Sequence, residues 1–324
     1  MRILFGAEND GVHISPDEPN AYEWWYFDAI SDDGRYVLVV IFFLGTPMSP
    51  YYKAAADGKN PLPRDWCGVF VSLHERTASG KYRERAYAYN LYRAAPGGKS
   101  GFQSAPLAIK IGVSELRGSE AQVGSGFART WDLSLNERCL WTGAVRADVL
   151  FSTGYTLKHV APRGDSDSAH TWVCVAPDCR VSGAVTLAGG ERVSFEGSGY
   201  HDHNFGLLPW RETRWAWERS HLEGESSRRT VIRYYLFEGS SGSAVKHGFV
   251  IDNDTVSSEE VVYTERRARD IQRSPFYRRY MAPVAVAGEG WQGAGFAVGE
   301  VFEPARLAEP VMATALWTRI RRRS

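Results

Sequence analysis

The sequence predicts an all-β protein built from two packed β-domains with little helix. Three observations carry that expectation. Tryptophan (11), tyrosine (16) and phenylalanine (15) make up 13% of the 324 residues, and aromatic side chains favour pleated, half-buried strands. The 32 Gly and 15 Pro gather with Asp and Ser into turn clusters such as DDG, APGG, RGDSDS, LAGGE, EGSSGS and DND. Between those clusters apolar and polar residues alternate at period two, as in Tyr87, Tyr89 and Leu91 or Trp215 and Trp217, and no long amphipathic helix pattern competes.

The elements follow in order. Strands are expected at WWYFDAI from Trp24, RYVLVVIFFLG from Arg35, CGVFVSLHER from Cys67 and RAYAYNLYRA from Arg85. LAIKIGVSEL, ARTWDLSL, LWTGAVRADVLF, GYTLKHV, HTWVCVA and RVSGAVTL come next. RVSFEG, RWAWERSHLE, RTVIRYYLFE, AVKHGFVID, EEVVYTERR, PVAVAGE, GFAVGEVFE and VMATALWTRI complete the series. The one short helical candidate, ERRARDIQRSPFYRR from Glu265, is interrupted by Pro275. About 18 strands are too many for one small barrel. Two domains are therefore expected, residues 1–190 and 191–324, with a seam near 185–205.

Composition excludes several function classes. Lys plus Arg and Asp plus Glu both number 38, which argues against nucleic-acid binding and against a charged disordered protein. Four cysteines are too few for a disulfide scaffold, and a chain this long buries a core without such staples. Cys174 and Cys179 form one C-x4-C pair without a second, so no metal site is expected there. The start, MRILFGAENDG, reads without a secretory signal, and the longest apolar run, Tyr36 to Gly45, is about half a membrane span. These features lead to the expectation of a cytoplasmic protein, with peripheral contact to a membrane left open. No serine-hydrolase elbow of the form GxSxG occurs. GEGWQG (Gly288 to Gly293) matches a dinucleotide-binding pattern formally, but a strand follows where a helix is required, so a hairpin turn is expected.

One stretch, GSGYHDHNFG from Gly197 to Gly206, concentrates Tyr200, His201, Asp202, His203 and Asn204 between glycines. It is read as a polar loop on a rigid β-scaffold, where chemistry usually resides. Three readings compete: a metal held by His201 and His203, a structural polar turn, and acid catalysis by Asp202. The metal reading lacks a nearby third ligand, and no metal or cofactor is expected. Glu23 and Asp28 are weighed as a second acid–base pair.

Three ordered blocks resemble the carotenoid 1,2-hydratase (hydroxyneurosporene synthase) family. They are YEWWYFDA (Tyr22 to Ala29), HTWVCVAPDCRVSGAVTL (from His170) and GYHDHNFG (Gly199 to Gly206), followed by RWAWER from Arg214. The resemblance implies lipocalin-like domains, in a superfamily that includes fungal Diels–Alderases. It implies Asp202 as proton donor, supported by Tyr200, His170 and Trp172. Phe205 stands where the family usually has Trp, a change expected to reshape the substrate pocket, and Thr171, Val173 and Cys174 depart from its bulkier neighbours.

Acid-catalysed hydration of an unactivated terminal double bond is the chemistry these residues would support. An Asp near its ordinary pKa of ~3.9 is too ionised to act; a desolvated pocket raises it. Trp172, Tyr200, Trp24, Trp25, Trp215 and Trp217 are candidate walls for the carbocation. Phe205, His203 and Asn204 are further candidates to contact the substrate, the last two also by fixing the segment that aims Asp202. The expected partner is a hydrophobic isoprenoid. The alternatives are a terpene cyclase, isomerase or pericyclase on the same scaffold, and a non-catalytic carrier of a hydrophobic ligand.

Overall fold

Nearly every described element is a β-strand, so the chain is all-β. The computed structural model describes residues 2–322 apart from 80–81, 93–100, 124–125, 140–142, 154–156, 158–160, 165–168, 210–212, 224–227, 239–242, 253–254, 259–271, 274–277, 281–283, 289–290, 298–299 and 303–315. The expected strands GYTLKHV and EEVVYTERR and the 265–279 helical candidate lie wholly or largely outside the described residues. The chain divides into two compact units, Met1–Pro209 and Trp210–Ser324. The division follows the GYHDHNFG segment, where the sequence placed it before, at 190.

The first unit is one large antiparallel sheet. Its strands are β1 (Arg2–Phe5), β2 (Ala21–Ser31), β3 (Tyr36–Leu44), β4 (Cys67–Arg76), β5 (Tyr82–Tyr92), β6 (Gly101–Gln103), β7 (Ala108–Ile111), β8 (Ser114–Val123), β9 (Gly126–Cys139), β10 (Gly143–Thr153), β11 (Arg163–Gly164), β12 (His170–Thr186) and β13 (Arg192–Leu207). The order is β5-β4-β3-β2-β13-β12-β10-β9-β8-β7-β6, and β1 lies parallel to β12 off this path. Patterning explains which faces are covered. β9 and β10 alternate buried and exposed residues, as one-sided strands do. β3 is a continuous apolar or aromatic run, while β2 and β4 also carry buried polar residues such as Glu23, Asp28, Ser72 and His74; all three are buried on both faces for almost their whole length.

The sheet curls until its β5 edge meets β9. The buried Glu137 of β9 marks the join, accepting hydrogen bonds from Asn90 Nδ2 (2.6 Å) and the Tyr92 hydroxyl (2.7 Å) of β5, and from Ser114 Oγ (2.6 Å). Trp25, Phe27, Trp131, Phe151, Val173 and Phe195 fill the concave interior. The four cysteines, Cys67, Cys139, Cys174 and Cys179, are all buried as thiols.

One helix was not expected. α1 (Pro50–Ala56) spans seven residues, too few to show an apolar period. Ser49 caps it, accepting from the Tyr51 amide at 3.1 Å, with Pro50 at the first helical position. HTWVCVA and RVSGAVTL form one strand, β12, interrupted by irregular pairing between Cys174 and Cys179. GYHDHNFG is not a loop: it is the second half of β13, paired on both sides with β2 and β12. Glycine makes this pairing feasible, since a Cβ at Gly206 would lie 2.0 Å from the Ala169 carbonyl oxygen.

The second unit holds β14 (Thr213–Glu223), β15 (Arg228–Glu238), β16 (Ser243–Asp252) and β17 (Thr255–Ser258), joined through β14 to Leu316–Arg322, Trp291–Ala297 and Val284–Gly288. Val284–Gly288 and Trp291–Ala297 pair antiparallel, so GEGWQG lies at a hairpin as expected. No helix among the described residues is long and apolar enough to cross a membrane.

Candidate active site

Strand alternation sorts the candidate residues. Side chains two apart on a strand share a face, and directly paired residues on neighbouring strands share it too. Asp202 pairs with Tyr26 on one side and Cys174 on the other, Asn204 with Trp24 and Trp172, and Tyr200 with Asp28. These residues therefore lie on one face of the sheet, with His170 and Tyr22 at its end. Trp25, Phe27, His201, His203 and Phe205 lie on the opposite, core-facing side.

Asp202 is the centre of the first face. Trp172 Nε1 and the Tyr200 hydroxyl both donate to its Oδ2 at 3.0 Å, and Asn204 Nδ2 donates to Oδ1 at 2.8 Å. The residue is only 3% exposed. Burial lifts its carboxyl pKa to about 6, against the hydrogen bonds from Trp172 and Tyr200, which favour the anion. The same burial, with the Asp202 charge beside it, pushes the Tyr200 phenol well above its ordinary range. The structure thus brings together Asp202, Tyr200, Trp172 and Asn204 as one hydrogen-bonded group.

His170 stands beside this group. Its Nδ1 is hydrogen-bonded to the Tyr22 hydroxyl, and its ring lies 6.0 Å from those of Tyr22 and Trp24. Burial pulls its pKa down to about 3, so the imidazole is neutral near pH 7. Tyr22 was not singled out from sequence, although it opens the YEWWYFDA block.

Trp25, His203 and Phe205 do not join the Asp202 face. Trp25 stacks on His203 at 4.8 Å in the core, and Phe205 stacks on His13 at 4.0 Å and 4°. The Phe205 departure therefore falls on the opposite face from Asp202, not in its immediate surroundings. Glu23 and Asp28 likewise face opposite ways, because five positions along a strand reverse the side. They are not an acid–base pair. Trp215 and Trp217 lie in β14, with side chains outside the described residues.

The opposite face carries a second polar cluster; sequence reasoning singled out its His201, His203 and Glu23 separately and missed Asp10 and His13, which join them. His203 Nε2 contacts Glu23 Oε1 at 2.7 Å, and its Nδ1 lies 3.5 Å from Asp10 Oδ1. His201 Nε2 lies 3.1 Å from the same Asp10 oxygen, and Trp131 Nε1 donates to Asp10 Oδ2 at 2.7 Å. Burial disfavours charge on both partners. Even so, the imidazoles hold the Asp10 and Glu23 carboxyls below their usual range, and the two carboxylates lift His203 to about 9. Asp10 and His13 come from the segment between β1 and β2, about 190 residues before His203. No local pattern could join them.

Comparison with known proteins adds the following. A family model described as carotenoid hydratase CrtC matches residues 40–268, a stretch that includes His170, Trp172, Tyr200 and Asp202. A protein of Chlorobaculum tepidum named hydroxyneurosporene dehydrogenase is 27% identical over 285 residues, 83% of this chain and 69% of its own. An acyclic carotenoid 1,2-hydratase of Thiocapsa roseopersicina is 25% identical over 319 residues, 91% of this chain and 71% of its own. Among solved structures, one assigned as AttH from Nitrosomonas europaea superposes with a TM-score of 0.58 at 12% identity. That alignment covers 94% of this chain and 88% of the other.

Proposed function

The chain belongs to the carotenoid hydratase CrtC family and has a lipocalin-like fold, and from that premise we propose that it is a hydro-lyase adding water to a terminal C=C bond of an acyclic isoprenoid or carotenoid. Asp202 is the proton donor. The observation that carries this reading is the buried Asp202 carboxyl, anchored by Trp172, Tyr200 and Asn204 and raised to about 6. A carboxyl in that range keeps an appreciable acid fraction near neutral pH, where an exposed Asp keeps almost none.

The cycle balances with these parts. Protonated Asp202 gives its proton to the less substituted alkene carbon; a C–H bond forms from the π electrons and a tertiary cation remains. Aromatic faces nearby, Trp24 and Trp172 among them, stabilise such a cation by about 0.5–2 kcal/mol each. The oxygen of a water molecule bonds to the cation and loses one proton to the Asp202 carboxylate, which restores the acid. Neutral His170 is a hydrogen-bonding group suited to placing that water. Hydration is redox-neutral, so the scheme requires no electron carrier.

The test is incubation of the wild type and Asp202→Asn with neurosporene, lycopene and squalene in 18O-labelled water containing deuterium, read by mass spectrometry. A product heavier by one labelled water, absent with the variant, is expected. An isomer of unchanged composition, apart from exchanged deuterium, would replace hydration with cyclisation or isomerisation. Substrate retained without product would point to a carrier. Hydration that survives in Asp202→Asn would remove Asp202 from the role.

A further inference from the structure

On the face of β13 turned away from Asp202, three side chains from distant parts of the chain converge. Ligand atoms of His13, Glu23 and His203 all lie within 4.8 Å of one another. Glu23 Oε1 is 2.7 Å from His203 Nε2 and 3.1 Å from His13 Nδ1. Glu23 and His203 are fully buried on β2 and β13, strands paired at Trp25 and His203. His13 is the partly exposed member, with 28% of its side chain open to solvent.

We propose that His13, Glu23 and His203 form a binding site for a divalent transition-metal ion, with zinc the best match. The donor set is two imidazoles and one carboxylate, which suits zinc and similar borderline ions and leaves a fourth position for water from the exposed His13 side. Zinc bonds of about 2.0–2.2 Å require ligand atoms about 3.4 Å apart in tetrahedral geometry. The Glu23–His203 contact must open, and His13 and His203 must draw together, by movements that a Glu carboxylate and a partly exposed imidazole can make.

The surroundings are already built for it. A ligating histidine characteristically donates its second ring N–H to a carboxylate, which fixes the ring and its tautomer. His203 Nδ1 faces Asp10 Oδ1 at 3.5 Å, and Asp10 is itself held by Trp131 Nε1 at 2.7 Å. The His13 ring stacks flat against Phe205, along which it can slide. The His13 and Ile14 amides, 2.8 and 3.4 Å from the Glu23 carboxylate, orient it from the other side. The ion would clamp the segment between β1 and β2 onto the β2–β13 pair. Its task is structural, and the inference does not rest on the hydratase reading, because Asp202 faces the other way.

The competing account is a metal-free hydrogen-bond network of the same residues. The full chain, stripped with chelator and desalted, would be titrated with Zn2+ and with Co2+ in parallel with His13→Ala and Glu23→Gln. One zinc per chain retained after desalting, visible Co2+ absorption of a low-coordinate site, and a Tm rise of about 5–10 °C at zinc a hundredfold above Kd are expected for the wild type. Each signal should be lost in His13→Ala. That variant alters a partly exposed side chain, so it is expected to fold even where Glu23→Gln does not, as circular dichroism would verify. A wild type that binds no zinc, or a folded His13→Ala that binds it equally, would overturn the site. Neither result bears on hydration, which the labelled-water assay reads separately.

Discussion

Replacing Asp202 by Asn should make the protein gain stability relative to the wild type as pH rises from 4 to above 6. The Asp202 pKa stands at about 6 in the folded chain against 3.8 for the ordinary carboxyl, a difference of about two units, or about 3 kcal/mol. The sign follows from proton binding. Between those pH values the folded state holds a proton that the unfolded state has released, so stability is fully present below 3.8 and is lost as pH rises through 6. The Asn side chain stays neutral and escapes that loss. Its carbonyl can still accept from Trp172 and Tyr200, while Asn204 must turn its amide to meet the new NH2, at a cost of about 1 kcal/mol. That cost applies at every pH; the ionisation term does not. Denaturant melts of both proteins at pH 4, 5, 6, 7 and 8 would give the difference. The variant should gain about 3 kcal/mol on the wild type across the series, or about 6–12 °C in Tm. A pH-independent difference would show that Asp202 is not desolvated, and the acid argument would fail with it.

Three further outcomes are expected. Tyr200→Phe removes one donor from Asp202 Oδ2; losing a hydrogen bond that favours the anion should move the alkaline limb of the hydration pH–rate profile up by about one unit, and an unmoved limb would place the titrating acid elsewhere. Glu137→Ala strips the partner from Asn90, Tyr92 and Ser114 where the sheet curls, and should cost about 2–4 kcal/mol in urea denaturation; a cost below 0.5 kcal/mol would mean the join is held by apolar packing alone. Gly206→Ala drives a Cβ against the Ala169 carbonyl, so hydrogen exchange should show the ends of β12 and β13 loosened, and unchanged protection there would refute the close approach.

How much was legible in the sequence depends on the range of the signal. The fold class and most strands of the first unit were readable because strand period and turn chemistry are local; LAIKIGVSEL, expected as one strand, is instead divided into β7 and β8 by a turn at Gly112, whose φ is 62°. α1 was not, since its seven residues are fixed by Ser49 and Pro50 rather than by a pattern. GYHDHNFG was read as a loop because its polarity looked exposed; it is a mostly buried strand whose polar side chains bond within β13 itself, to Trp172 of β12, to Tyr26 and Glu23 of β2, and face Asp10.

The sequence by itself determined only the order and spacing of the residues from Tyr200 to Phe205; once that segment pairs as a strand, backbone geometry puts Tyr200, Asp202 and Asn204 on one side of β13 and His201, His203 and Phe205 on the other. Only the tertiary structure decided what each side means. It paired Asp202 with Trp172 from β12 and buried both, which is what raises the carboxyl pKa. It also carried Asp10, His13 and Glu23 across the chain to the two histidines, which no spacing rule could anticipate. Burial and the company of charges are properties of packing between distant segments, and they set the chemistry of a side chain that the sequence only names.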